Sequence, residues 1–219
     1  MLNLETLELH SGSHSPGGIM CLMEAVSQYA GHEWSDKDPD VSPVLGAFGR
    51  AWNDGLRSNA ERASLKQYIP LLIGTAGNPA ADEQRSYMAL DWLVRTNTVA
   101  WLRLAGGPCE VHAVALAALP AILNSDLARS AQPTIDAARD AAQYAAGDAG
   151  AAVGDAGATA GAAARAAGTA AQDAWAAGAA ARAVARAAGT ALEPTGVELQ
   201  ASAQDLFLRM IAADGAKSQ

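Results

Sequence analysis

Between residues 147 and 189 the glycines fall on a seven-residue ladder: Gly147, Gly154, Gly161, Gly168 and Gly189 share one heptad position, and Gly150, Gly157 and Gly178 share the position three residues later. That is the spacing of the inward positions where one helix packs on another. Each glycine inside a helix costs roughly 0.8 to 1.0 kcal/mol relative to alanine, so eight of them weaken a continuous helix by about 7 kcal/mol. Close approach of a second helix offsets such a cost, because Gly and Ala at the seam let backbones come nearer than the usual distance of about 8 to 10 Å. The expected neighbour is another part of this chain or a second copy of it; the alternative is low-complexity drift, in which Ala and Gly accumulate on a solvated helix. Trp175 and Arg182 stand on rungs of the Gly147 ladder and mark where that closeness ends.

Residues 136 to 191 hold 30 alanines and 8 glycines in 56 positions. One helix of that length would measure about 84 Å at 1.5 Å per residue, long beside a domain of this size. The tract is therefore expected to break at the GDAG segments beginning at Gly147 or Gly154, giving a close-packed helical hairpin or bundle. Large side chains collect earlier: Trp34, Trp52, Trp92 and Trp101 all precede residue 105. The composition predicts an all-α protein with a compact helical domain over residues 1–130. An Ala/Gly-rich helical region follows over 131–219, closed by an amphipathic helix.

The net charge of -8 and the absence of a basic stripe argue against nucleic acid as a partner. Two cysteines, Cys21 and Cys109, do not make a disulfide framework, and the segment MLNLETLELH lacks the basic and apolar regions of a signal peptide. A cytoplasmic protein is expected. The most apolar run, Val111 to Leu123, is too short for a bilayer core of about 30 Å, so no membrane partner is expected either.

Residues 2 to 10 fit a short strand or a helical turn equally well. After the turn-rich SGSHSPGG, an apolar stripe from Ile19 to Tyr29 predicts a first helix ending near Gly31. Ser42 and Pro43 read as cap and first turn of a helix reaching about Asp54. A third helix fits from about Asn59, and Pro70 interrupts it. The best-patterned helix spans about Asp82 to Leu104, stopped by Gly106, Gly107 and Pro108. A short helix from Cys109 to Leu119 is closed by Pro120. One further turn fits Asn124 to Arg129 before Pro133 opens the alanine tract, and Pro194 opens the last helix, with Val197, Leu199, Leu206, Phe207, Met210 and Ile211.

The strongest candidate site is the loop feeding the first helix. Ser13, His14 and Ser15 supply donors, Gly17 and Gly18 let backbone N–H groups converge, and a helix N-terminus carries partial positive charge, so an anionic group is the expected ligand. It is not a nucleotide P-loop, because GxxxxGK[ST] is absent. Cys21 and Glu24 share a helix face with His14 just upstream, the residue types of nucleophile, base and orienting group. For metals, His10 and His14 with Cys21, or Cys109 with His112, fall short of four local ligands, so no metal or other cofactor is expected. Asp36, Asp38 and Asp40 alternate like the opening of a calcium loop, but Val41 replaces the turn glycine and Ala47 the closing glutamate, which leaves a solvated loop.

SGSHSPGGIMCLMEAVSQYAGHEWSD, SPVLGAFGRAWND, YIPLLIGTAG, DWLVRTNTVAWLRLAG, the alanine tract and LQASAQDLFLRMIA together resemble a family of uncharacterised proteins of bacteria and their bacteriophages. The resemblance covers nearly the whole chain and transfers no catalytic or binding residue. Its members often carry cysteine where this chain has Asp40, which weakens any pairing of Cys21 with a thiol in that loop. It implies an accessory protein of a phage or mobile element, including a counter-defence role. The expected function is accordingly non-enzymatic binding of an anionic small molecule or a protein partner. Two alternatives stand beside it: an assembly protein that forms homo-oligomers through the glycine seam, and a thiol- or metal-dependent enzyme using Cys21, His14 and Glu24.

Overall fold

The computed structural model describes residues 2–56, 58–145 and 195–213, which are helical with no strand among them. The glycine seam, from Gly147 to Gly189, and the break expected within it lie outside the described residues. No described helix is long and apolar enough to cross a membrane.

Residues 2 to 10 form neither of the two expected elements. Leu4 to Thr6 make a turn, and Leu9 then pairs with Met20 in a single parallel bridge. Helix α1 spans Leu22–Ala30 and ends on Gly31, whose φ of +79° is the left-handed cap that glycine adopts without a Cβ penalty. Its start is three residues later than the apolar stripe suggests, because Ile19 is exposed and Met20 is held by the bridge. Helix α2, Pro43–Gly55, begins as expected: the Ser42 hydroxyl accepts the Leu45 N–H, and Pro43 fills the first turn. The Ser42 hydroxyl also donates to Asp82, which ties α2 to the next long helix.

The third helix is broken more finely than Pro70 alone requires. Helix α3 (Asn59–Arg62) passes into a 3-10 segment, Ala63–Tyr68, and then into a single turn α4 (Ile69–Leu72), in which Pro70 occupies a first-turn position. Helix α5 spans Pro79–Trp92, capped by the Asn78 side chain. The expected single helix to Leu104 widens into a π-helical turn over Leu93–Thr98 before resuming as α6, Val99–Ala105. The Thr98 hydroxyl donates to the Leu93 carbonyl at 2.8 Å, a side-chain bond that spans the wider turn. Helix α7 covers Glu110–Ala117.

Helix α8 runs without interruption over Ser125–Ala145, so Pro133 lies inside a helix instead of opening one. The start is fixed upstream by Asn124, whose side chain accepts the Leu127 N–H at 2.9 Å. Pro133 and Arg129 are both exposed, so the carbonyl that proline leaves unpaired lies on the solvated side. The opposite face buries Ala128, Ala131, Ile135, Ala138 and Ala142 at alternating steps of three and four, and α8 packs with it on α7.

The boundary expected near residue 130 falls within this helix. The closing helix α9, Thr195–Ala212, packs on α5 and α2 as part of the first core. Its Phe207 stacks on Phe48 at 5.0 Å between ring centroids and meets Tyr68 and Trp52 edge-on at 5.1 and 5.8 Å. Polar groups repeat the link: Trp52 Nε1 donates to Gln200 Oε1 at 3.1 Å, Trp92 Nε1 to Ser202 Oγ at 2.9 Å, and buried Arg85 Nε to the Met210 carbonyl at 2.9 Å. The large side chains of the first half and the amphipathic face of α9 therefore share one core.

Candidate functional site

The loop before α1 is closed at its neck and open at its tip. His10 N–H donates to the Met20 carbonyl at 2.9 Å, beside the Leu9–Met20 bridge, which joins the two ends as in an Ω-loop. Within the loop, Ser11, Gly12, Ser13, Ser15, Pro16, Gly17, Gly18 and Ile19 are exposed, and only His14 turns inward. Gly12 and Gly17 have φ of +87° and +91° with open space around them, so backbone conformation and not crowding calls for glycine there.

One buried carboxylate holds the loop. Glu24, in the first turn of α1, is 1% exposed. Its Oε1 accepts the His14 N–H at 2.5 Å, and its Oε2 accepts the His14 ring Nδ1 at 2.9 Å and the Cys21 N–H at 2.7 Å. Burial pushes this carboxyl up, but the hydrogen bonds from Cys21 and His14 outweigh it and hold the group below the ordinary glutamate value. Further ties come from α2 and from the loop between α1 and α2. Asp54 Oδ1 accepts the Gly12 N–H at 2.7 Å, Asn53 Nδ2 donates to the His10 carbonyl at 2.8 Å, and Trp34 Nε1 donates to the His14 carbonyl at 2.9 Å.

This arrangement places the expected site residues in two groups. Ser13, Ser15, Gly17 and Gly18 form the exposed rim, whereas His14 belongs to the anchor. At the N-terminal end of α1, three N–H groups are already engaged. Leu22 N–H donates to Asn53 Oδ1 at 3.2 Å, Ala25 N–H to the Cys21 carbonyl at 3.0 Å, and the Glu24 N–H to the Cys21 sulfur within a capping box. The Glu24 carboxylate itself lies in the first turn of α1 and accepts the Cys21 N–H, placing a negative charge at the positive end of the helix.

His14, Cys21 and Glu24 are brought together, but not as a nucleophilic set. Cys21 is 2% exposed. Burial, reinforced by the Glu24 charge, pushes its thiol up to about 12 despite the hydrogen bonds from the backbone. Burial also raises Cys109, which is fully inaccessible. Both sulfurs are thus protonated and shielded at neutral pH. Ellman's reagent is expected to label neither of the two free cysteines in the native protein and both once it is unfolded in concentrated guanidinium chloride. Labelling of Cys21 in the folded state, checked by mass spectrometry of tryptic peptides, would restore it as a nucleophile.

A second cluster unites residues that the sequence separates. His32 follows the Gly31 cap of α1, and its ring Nδ1 lies 2.9 Å from Oδ2 of Asp38. Asp38 is 4% exposed, and its Oδ1 accepts the Asp40 N–H at 2.9 Å, closing a tight turn. The turn carries Asp40 to the other side of the ring, with Oδ2 3.6 Å from His32 Nε2. The hydrogen bond to Asp38 raises the His32 pKa, helped by the charges of Asp38 and Asp40 and opposed by desolvation. Burial pushes Asp38 up, yet bonds from His32, Asp40 and Ser27 and the His32 charge hold it below its ordinary value. One donor atom from each of the three residues lies within 4.8 Å of the others. Sequence spacing relates the aspartates but not His32, which joins them only because the chain reverses after Gly31.

Comparison with known proteins finds no family model, no curated protein and no solved structure that matches this chain.

Proposed function

We propose that this chain is a non-enzymatic binding protein that presents the Ser11–Ile19 loop to a protein partner. The observation that carries this reading is the Glu24 anchor: one buried carboxylate takes three hydrogen bonds from His14 and Cys21 and leaves the rest of the loop exposed. A loop fixed at its base loses little conformational entropy on binding, which favours affinity without any covalent chemistry. Exposed Ser13, Ser15 and Ile19 offer a mixed polar and apolar surface, and Ile19 is 50% exposed. Occupation of the helix end by Glu24 favours a protein surface over a small anion as the ligand. An accessory, phage-encoded role, with counter-defence among its forms, is part of this reading and rests on the resemblance alone.

Gly17→Asp tests it. Gly17 has open space around it and a φ of +91°, so the substitution reshapes the rim while Glu24 and the core stay intact. Affinity capture from host cells, compared between wild type and variant by quantitative mass spectrometry, is expected to lose its specific interactors by tenfold or more, with the unfolding midpoint shifted by no more than a few degrees. An interactor set unchanged by Gly17→Asp would sink the loop reading. A thermal shift with nucleotides or phosphorylated metabolites that Gly17→Asp abolishes would replace the protein partner with a small anion.

A further inference from the structure

The two sides of the His32 ring are built differently. On the Nδ1 side stands the Asp38 carboxylate, whose side chain is fully buried, at hydrogen-bonding distance of 2.9 Å. On the Nε2 side stands the Asp40 carboxylate, 54% exposed, at 3.6 Å. That second separation is too long for a hydrogen bond and is an ion pair when the ring is protonated. It matches two ligands of one tetrahedral ion, since metal–ligand bonds of about 2.1 Å at the tetrahedral angle hold their donors roughly 3.4 Å apart. A buried carboxylate on one ring nitrogen, with the other nitrogen turned toward an exposed oxygen donor, is how proteins prepare a histidine to ligate metal. The carboxylate fixes the tautomer and raises the basicity of the free nitrogen.

We propose that His32 Nε2 and Asp40 Oδ2 bind a divalent transition-metal ion of the zinc class, with Asp38 as the positioning residue behind the imidazole. The nitrogen donor selects zinc-class ions over calcium and magnesium, which prefer all-oxygen shells. Glu33 and Asp36, both in the same loop, add negative charge that draws cations in, set against Lys37. Two protein ligands leave the remaining coordination positions to water, so the ion is exchangeable and open to a further donor. The inference does not depend on the binding function proposed for the Ser11–Ile19 loop.

Isothermal titration of the full chain with zinc chloride, and separately with calcium chloride, tests the assignment. One zinc ion per chain is expected at this site, with no competition from equimolar calcium. Asp40→Ala, at an exposed position, should weaken it at least tenfold with the helical circular dichroism unchanged. Asp38→Asn should weaken it by about 10- to 100-fold, the range seen when the group behind a ligating histidine is lost. Cobalt provides a second readout: the intense visible absorption of a tetrahedral complex should appear in wild type and vanish in His32→Gln. Zinc binding that is absent at millimolar concentration, or that keeps its affinity in both Asp40→Ala and His32→Gln, overturns the proposal.

Discussion

Replacing Glu24 with alanine is expected to lower the unfolding free energy at neutral pH by about 3 to 5 kcal/mol, the range for deleting one member of a buried, hydrogen-bonded charged set. The substitution leaves the His14 and Cys21 N–H groups, 2.5 and 2.7 Å from the lost oxygens, without their protein acceptor, the second of them buried. Glu24→Gln keeps the shape and one acceptor oxygen and should lose less. The pH dependence follows from the sign of the shift. The folded carboxyl lies below its ordinary 4.5, so over that window the unfolded chain binds more protons than the native one. The stabilisation is complete above about 4.5 and disappears as the pH falls through the lower folded value. Urea unfolding from pH 7 downward should show wild-type stability falling more steeply with acid than that of Glu24→Ala, the remaining slope including the contribution of Asp38, whose carboxyl is lowered in the same direction. Parallel profiles for the two proteins would remove Glu24 from its anchoring role.

Phe207→Ala is expected to cost about 3 to 5 kcal/mol, the cost of truncating a fully buried aromatic side chain. Phe207 touches Phe48, Trp52 and Tyr68, with centroid separations from 5.0 to 5.8 Å, so the void opens at the junction of α2, the 3-10 segment and α9. Its diagnostic value is in the cooperativity of unfolding. If α9 is part of the first core, guanidinium unfolding followed by tryptophan fluorescence and by far-ultraviolet circular dichroism should shift together in the variant and remain a single transition. A variant in which the fluorescence transition keeps its wild-type midpoint would instead make α9 an appendage. Phe207→Leu, which retains most of the volume, should recover much of the loss.

What could be read from the sequence follows the range over which each signal acts. The Ser42–Pro43 start of α2 and the Gly31 stop of α1 are local backbone effects, and both appear where the residues stand. Cys21 and Glu24 were legible as a pair at helical spacing, but not in their roles. The same spacing serves a nucleophile with its base or a helix cap with its partner, and burial decides between them. Pro133 is ambiguous in the sequence because a proline inside a helix and one at its first turn look alike until the exposed face is known. The π turn at Leu93–Thr98 has no compositional marker beyond Thr98 itself. His32 carries no local signal of its role, because its link to Asp38 and Asp40 depends on the chain turning back after the helix stop. The aromatic cluster is the extreme case: Tyr68 and Phe207 belong to segments that no local pattern connects, and only the fold unites them.

The position of α9 also sets the order in which the molecule can be completed as it is made. The indole of Trp52 waits for Gln200, 148 residues later, and Nε of Arg85 waits for the Met210 carbonyl, 125 residues later. At synthesis rates of about 5 to 20 residues per second, the first of these intervals of 148 residues lasts roughly 7 to 30 s. Throughout it, the faces of Phe48, Trp52 and Tyr68 that Phe207 later covers have no lid. The nascent chain therefore passes through an obligatory stage with an uncovered aromatic wall, the kind of surface that chaperones recognise and that drives aggregation when synthesis outruns them.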